Sequence, residues 1–200
     1  MRGSVLILDA MGVIFTEAHI TRALLYPFIK KHGGSDSLVA IKHYYRDASL
    51  GKINARQFWQ AVGLSPSLES EYLSLYQLAP GLPTFMNQLP TTVSSCWCLS
   101  NDVSTWSSRL REMHHLQNWF DGFIISADIG LRKPDPVIYH QLLSRITSPA
   151  NQCILVDDKP QNLDAAARLG MRTILFGLAE DQGPRTHIRA QSFAALAKLL

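Results

Sequence analysis

Residues 153–166 read CILVDDKPQNLDAA, and the fold turns on how this stretch is parsed. Ile154, Leu155 and Val156 form an unbroken apolar run rich in β-formers, as expected of a strand covered on both faces. Asp157 and Asp158 end it. Asn162 to Leu169 then carries a helical pattern that stops at Gly170, a residue suited to the left-handed end of a helix. Strand, acidic turn and helix in this order make half of a βαβ unit.

The same grammar recurs on both sides. Val5–Leu8 is a second buried strand, ended by Asp9 and Gly12. Val93 to Leu99 is a strand that stops at Ser100-Asn101, Phe123–Ile125 is a short one, and Thr173–Phe176 is expected to be the last. Helical patterns lie around Phe85–Leu89, over Trp106–His115, over Pro136–Ile146 with proline near its start, and over Ser192–Leu200. Alternating strands and helices predict an α/β fold, a Rossmann-like parallel sheet with helices on both faces. One stretch breaks the alternation. Residues 16–78 contain no strand candidate, and breaks at Gly33-Gly34-Ser35, Ser49-Leu50-Gly51 and Gly63–Pro66 divide them into about four short helices. The expected organisation is a core of residues 1–15 and 79–200 with a helical cap, 16–78, inserted after the first strand.

Composition sets bounds. The 200 residues are 46% apolar with a net charge of +3 and suit one compact core. The 19 Lys and Arg form no run beyond Lys30-Lys31, so no nucleic-acid partner is expected. The apolar N-terminus carries Asp9 at its middle and lacks a signal-peptide layout, and no membrane partner is expected. Cys96, Cys98 and Cys153 read as buried free thiols of a reducing compartment, and the expected location is the cytoplasm. His114 and His115 are adjacent on a helix and point apart rather than sharing an ion.

In parallel α/β sheets ligands bind beyond the carboxyl ends of the strands. Here those ends bear Asp9, Ser100, Asn101, Asp157 and Asp158. Adjacent carboxylates at a buried strand end repel each other unless a cation lies between them. Mg²⁺ prefers such oxygen ligands. Pro134 and Pro136 fix the chain around Lys133, which aims its ammonium; a fixed cation there neutralises phosphate charge. Ser100 and Asn101 are placed to donate hydrogen bonds to phosphate oxygens.

These residues resemble the haloacid dehalogenase superfamily in its phosphatase branch. The four signatures follow in order: LILDAMGVIF (6–15), WCLSND (97–102), GLRKPDPVIY (130–139) and ILVDDKPQNLDAA (154–166). The small cap is most similar to that of sugar-phosphate phosphatases and of the phosphatase domain of epoxide hydrolases. The resemblance implies that Asp9 is the nucleophile and forms an aspartyl-phosphate. It implies Mg²⁺ held by Asp9, the backbone carbonyl of Met11, Asp157 and Asp158. It implies that Ser100 and Lys133 bind the phosphoryl oxygens, with Asn101 and Gly12 beside the substrate, a small phosphorylated metabolite. The protein is expected to be a monomer or weak homodimer.

One position departs from the family. Two residues after the nucleophile the family usually has a second Asp, the general acid, and here Met11 stands there. A thioether moves no proton, and general acid–base help is typically worth about 10²–10⁴ in rate. The expectation is a phosphatase with low activity, the acid replaced by Met11. Two alternatives follow: a catalytically impaired protein that only binds a phosphate ligand, and a haloacid dehalogenase, which shares Asp9 and Lys133 but needs no metal.

Overall fold

A computed structural model describes residues 3–177 and 186–200. Six strands form one sheet: β1 Ser4–Leu8, β2 Val93–Ser100, β3 Gly122–Ile125, β4 Cys153–Asp157, β5 Arg172–Phe176 and β6 Ile188–Ala190. Their order is β3-β2-β1-β4-β5-β6, and every pairing is parallel. The order reverses between β1 and β4, and such a switch point opens a crevice at the carboxyl ends of the strands.

The central strands are apolar because both faces are covered. Along β1 and β4 the side chains alternate between two cores. Leu6, Leu8, Ile154 and Val156 face one, which continues into the cap. Val5, Ile7, Cys153 and Leu155 face the other, with Ile138, Leu142 and Leu163 from helices of the opposite layer. All three cysteines are buried free thiols. The expectation that Thr173–Phe176 ends the sheet is corrected by β6, which pairs with β5 in parallel. Three residues with Arg189 at their middle are too short and too polar to show a strand period.

Between β1 and α5 (Leu82–Asn87) there is no strand, only helices, turns and the isolated bridges Met11–Phe15 and Phe15–Leu78. A π-helical turn, Thr21–Leu25, leads into α1 (Tyr26–Lys31); α2 (Leu38–Ala48), α3 (Ala55–Ala61) and α4 (Glu69–Leu73) follow. Side chains start two of these helices. Ser37 Oγ accepts from the Ala40 N–H, and Asn54 and Gln57 form a reciprocal capping box. The chain leaves and re-enters the core at neighbouring points: Thr16 N–H donates to Gln77 O at 3.0 Å and Ala79 N–H to Ile14 O at 2.8 Å.

This cap packs on α6 (Ser104–Met113) through aromatic rings. Phe58 and Trp59 lie 5.2 and 5.5 Å from Trp106, centroid to centroid. Glu69 ties the contact, accepting from the indole N–H of Trp59 at 3.0 Å and of Trp106 at 2.8 Å while pairing with Arg109 at 2.7 Å. A second seat lies at the turn after α2. There Gly51 has φ +70°, and a Cβ would stand 2.4 Å from the carbonyl oxygen of Ala127. Only glycine allows that approach. The remaining helices are α7 (Ser126–Ile129), α8 (Pro136–Ile146), α9 (Pro160–Arg168) and α10 (Phe193–Ala197). Among the described residues no helix is long and apolar enough to cross a membrane.

Candidate active site

The switch point gathers the acidic strand ends. Asp9 follows β1, and its N–H donates to Val156 O of β4 at 2.9 Å, which fixes the two strand ends side by side. Asp157 closes β4, and Asp158 begins the turn into α9. One carboxylate oxygen from each of Asp9, Asp157 and Asp158 lies within 4.8 Å of the others. Lys133 completes the group. Its Nζ is 2.8 Å from Asp9 Oδ1 and 2.6 Å from Asp157 Oδ2, and the residue is 4% exposed.

Asp157 is held by groups of its own segment, and Lys133 by a residue of another. Asp157 Oδ1 accepts from Lys159 N–H and Asn162 Nδ2, both at 2.9 Å, and its Oδ2 from Asn162 Nδ2 at 3.0 Å. Asn101 fixes the Lys133 loop from across the rim. Its Nδ2 donates to Lys133 O at 2.9 Å and its Oδ1 accepts from Lys133 N–H at 2.8 Å. Asn101 therefore commits both ends of its amide to positioning the lysine. That role was not visible in the sequence, because the two residues are 32 positions apart. Gly12, with φ +80°, lies against Asp158: a Cβ there would be 2.9 Å from the Asp158 carboxyl carbon.

Burial dominates the electrostatics. It pushes the Asp9 carboxyl up to about 7, Asp157 adds to the rise, and Lys133 opposes it. Burial alone would lower the Lys133 pKa, but Asp157 and Asp9 outweigh it and hold the ammonium charged. Asp158 is also raised, first by burial.

Two polar atoms at this rim are buried without a hydrogen-bond partner: Ser100 Oγ at the end of β2, and Asp158 Oδ1. Such atoms cost stability unless a ligand meets them. A carboxylate oxygen that accepts no hydrogen bond, beside two more carboxylates, fits a hard divalent cation, and an unpaired hydroxyl fits an acceptor such as a phosphate oxygen.

The structure corrects the expectation built on Met11. That expectation made the site one with its general acid replaced and its activity lowered. The acidic cluster is intact: Asp9, Asp157 and Asp158 are all present and converge. Met11 is 5% exposed and belongs to the hydrophobic core with Val13, Ile14 and Phe15. Counting two residues along the chain from Asp9 gave position 11 its weight, whereas the site is assembled across strand ends.

Above the rim lies a cleft of about 850 Å³ between core and cap. The cap contributes residues 18–22, Lys42, Tyr45, Arg46 and Leu50; the core contributes Met11, Asn101, residues 130–135, Lys159, Gln161 and Asn162.

A Rossmann-like parallel sheet with a cap after its first strand, bearing a buried carboxylate–lysine cluster, defines a capped hydrolase of α/β class. The chain belongs to the haloacid dehalogenase-like hydrolases, whose family model matches residues 5–170. Among curated proteins it is 46% identical over 63 residues to a sesquiterpene phosphatase of Aspergillus oryzae, a match covering 32% of each chain. It is 40% identical over 75 residues to the bifunctional epoxide hydrolase 2 of Mus musculus, covering 38% of this chain and 14% of that one. The matched stretch thus spans no more than about a third of either relative. Among solved structures, a HAD phosphatase from Thermococcus onnurineus superposes with a TM-score of 0.76 at 19% identity, covering 100% of this chain and 97% of that one. A HAD family enzyme from Bacteroides thetaiotaomicron, solved as a magnesium complex, gives 0.76 at 17% identity, covering 92% and 98%. At these identities the two structures speak for the shared fold.

Proposed function

We propose that the chain is a Mg²⁺-dependent phosphatase acting on a small phosphorylated metabolite through Asp9. The observation that carries this reading is the buried Asp9–Lys133–Asp157 arrangement, with Asp158 completing an oxygen cluster. The phosphatase and the magnesium complex among the similar proteins agree with it. The same proposal divides the chain into a core of 1–15 and 79–200 and a cap of 16–78.

The ion would be held by Asp9, Asp157, Asp158 and the backbone carbonyl of Met11. When bound it supplies positive charge beside the transferring phosphoryl group. The chain's own residues do the rest. Asp9 accepts from Ala10 N–H at 2.7 Å and from Lys133, and both bonds fall on Oδ1. Oδ2 carries no hydrogen bond among the described residues and is the oxygen that attacks phosphorus. The Oδ2–P bond forms as the ester P–O bond breaks, and the departing alkoxide takes a proton from solvent water to leave as the alcohol. Water then attacks the phosphorus, releases phosphate and restores the carboxylate. Lys133 favours the ionised form of Asp9 against burial and, with the Ser100 hydroxyl, receives phosphoryl oxygens. Gly12 leaves room for Asp158 at the rim, and Asn101 keeps Lys133 in register.

The test is phosphate release from p-nitrophenyl phosphate and a panel of phosphorylated metabolites, with Mg²⁺ or with chelator. Mg²⁺-dependent release should fall by about 10⁴-fold or more in Asp9→Asn, as expected for loss of a nucleophile. Release that persists in chelator, or survives in Asp9→Asn, overturns the reading.

A further inference from the structure

The basic residues look scattered in the sequence, but the fold collects several of them in one cleft. Six cationic side chains line it: Arg22, Lys42, Arg46, Arg132, Lys133 and Lys159. Two are balanced. Lys133 is held between Asp9 and Asp157, and Lys159 lies 3.7 Å from Asp158. Among the described residues the other four form no ion pair. Among the described residues the acidic side chain on the cleft wall is Asp135, whose Oδ1 accepts from Val137 N–H at the start of α8, while Asp9, Asp157 and Asp158 lie at the floor. Six cations thus face four carboxylates, Asp135 and the three of the floor. The cleft carries an excess of positive charge.

Arg22, Lys42 and Arg46 are exposed, and Arg132 is partly buried. Lys42 and Arg46 stand one turn apart on α2, so they share a face. Arg132 comes from the opposite wall, next to the catalytic lysine. It is partly buried, with Cζ 5.9 Å from the ring centroid of Tyr45. Its Nη1 is buried without a hydrogen-bond partner. Arg46 is near enough to disfavour its charge further, and Asp102 lies behind it without forming an ion pair. A guanidinium nitrogen stripped of water, beside a second guanidinium and facing a cleft, needs an anion.

We propose that the wall formed by Arg132 of the core and by Arg22, Lys42 and Arg46 of the cap is a second anion site, which binds a second phosphate group of the substrate. The proposal rests on the phosphatase reading of the cleft floor and narrows its substrate class to diphosphate esters and bisphosphates. One phosphoryl group lies over Asp9, Ser100 and Lys133. The other is gripped between the guanidiniums of Arg132 and Arg46, a planar geometry suited to phosphate oxygens.

The test uses probes that cannot be hydrolysed: methylphosphonate, methylenediphosphonate and a bisphosphonate with a three-carbon link. Each is titrated calorimetrically at matched free Mg²⁺ into the wild type, Arg46→Gln, Arg132→Gln and the double variant. At least one bisphosphonate should bind about 10-fold or more tightly than methylphosphonate, roughly the worth of one charge-assisted contact pair. The advantage should vanish in the double variant while methylphosphonate affinity stays within about twofold, the spread of a neutral surface change. Equal affinity for single and double anions in the wild type overturns the proposal. So does an equal loss for all three probes in the variants, which would mark a diffuse field. Turnover of p-nitrophenyl phosphate is measured in parallel. Its absence alongside a retained bisphosphonate preference breaks the hydrolase reading and leaves the second site standing. Its presence without that preference does the reverse.

Discussion

The floor and the wall of the cleft solve opposite problems with the same kinds of charge. On the floor every charged group faces partners within hydrogen-bond distance or nearly so. Asp157 accepts from Lys133, Lys159 and Asn162, and Lys133 bridges two carboxylates. On the wall, Arg22, Lys42 and Arg46 are exposed and pair with nothing among the described residues. A buried charge is tolerated only when its surroundings are fixed in advance. An exposed one costs little and can wait for a ligand. The floor is therefore suited to one unvarying chemical step, and the wall to choosing what undergoes it.

The sharpest way to break this contrast is at Lys133. Replacing it by methionine leaves Asp9 and Asp157 facing each other in a buried place with no cation. Removing one partner of a buried ion pair typically costs about 3–5 kcal/mol. Urea unfolding of Lys133→Met should show a loss of that size in chelator and a smaller loss in saturating Mg²⁺, since the ion would restore positive charge between the carboxylates. An identical loss in both conditions would show that the rim does not need a cation, and the floor would then be no different in kind from the wall.

A middle-sized effect is expected where floor and wall meet. Asp102 is 1% exposed behind Arg132. Burial, above all, pushes its carboxyl from 3.8 up to about 7, while the Val103 N–H and Arg132 pull it down. The folded protein thus binds this proton more tightly than the unfolded chain does. The contribution to stability is fully present below pH 4 and is lost as pH rises towards 7, at about 1.4 kcal/mol per pH unit for one proton. Asp9 titrates in the same window, so the Asp102 share is isolated by difference. Chemical denaturation across pH 4–7 should be less steep in Asp102→Asn by that amount. A slope unchanged by the substitution would mean that Asp102 already has a counter-charge in the fold, and that the boundary belongs wholly to the floor.

The sequence exposed the floor far better than the wall, for a physical reason. A buried parallel strand must be continuously apolar, so a carboxylate at its end stands out. Val5–Leu8 before Asp9 and Ile154–Val156 before Asp157 were legible for that reason. The cap was legible as a gap in the alternation between β1 and β2. What escaped were the contacts made across space. Nothing in the chain order links Asn101 to the backbone of Lys133, or Glu69 to the indoles of Trp59 and Trp106. β6 escaped because three edge residues carry no period. Met11 misled because its weight came from its distance along the chain to Asp9, while its side chain is part of the core. The wall was hidden most deeply. Arg22, Lys42, Arg46 and Arg132 are ordinary basic residues in sequence, and only the docking of α2 over the 130–135 loop makes them neighbours.

The smallest expected effect sharpens the same contrast from the wall side. If the wall is uncommitted in the free protein, removing one of its cations should leave the fold untouched. Lys42 is exposed on α2 and forms no ion pair, so Lys42→Ala should change unfolding free energy by no more than about 0.5 kcal/mol. Alanine's helix propensity tips the sign slightly towards gain, and relief of repulsion from Arg46 one turn away adds to it. Ionic strength separates these two contributions, because propensity ignores salt and repulsion is screened by it. A gain that shrinks between low salt and 0.5 M NaCl would show that the wall stores repulsion in the free state, which an arriving anion then relieves. A loss of stability in Lys42→Ala would instead show that this lysine already holds the cap in place, which would shrink the uncommitted part of the wall to its arginines.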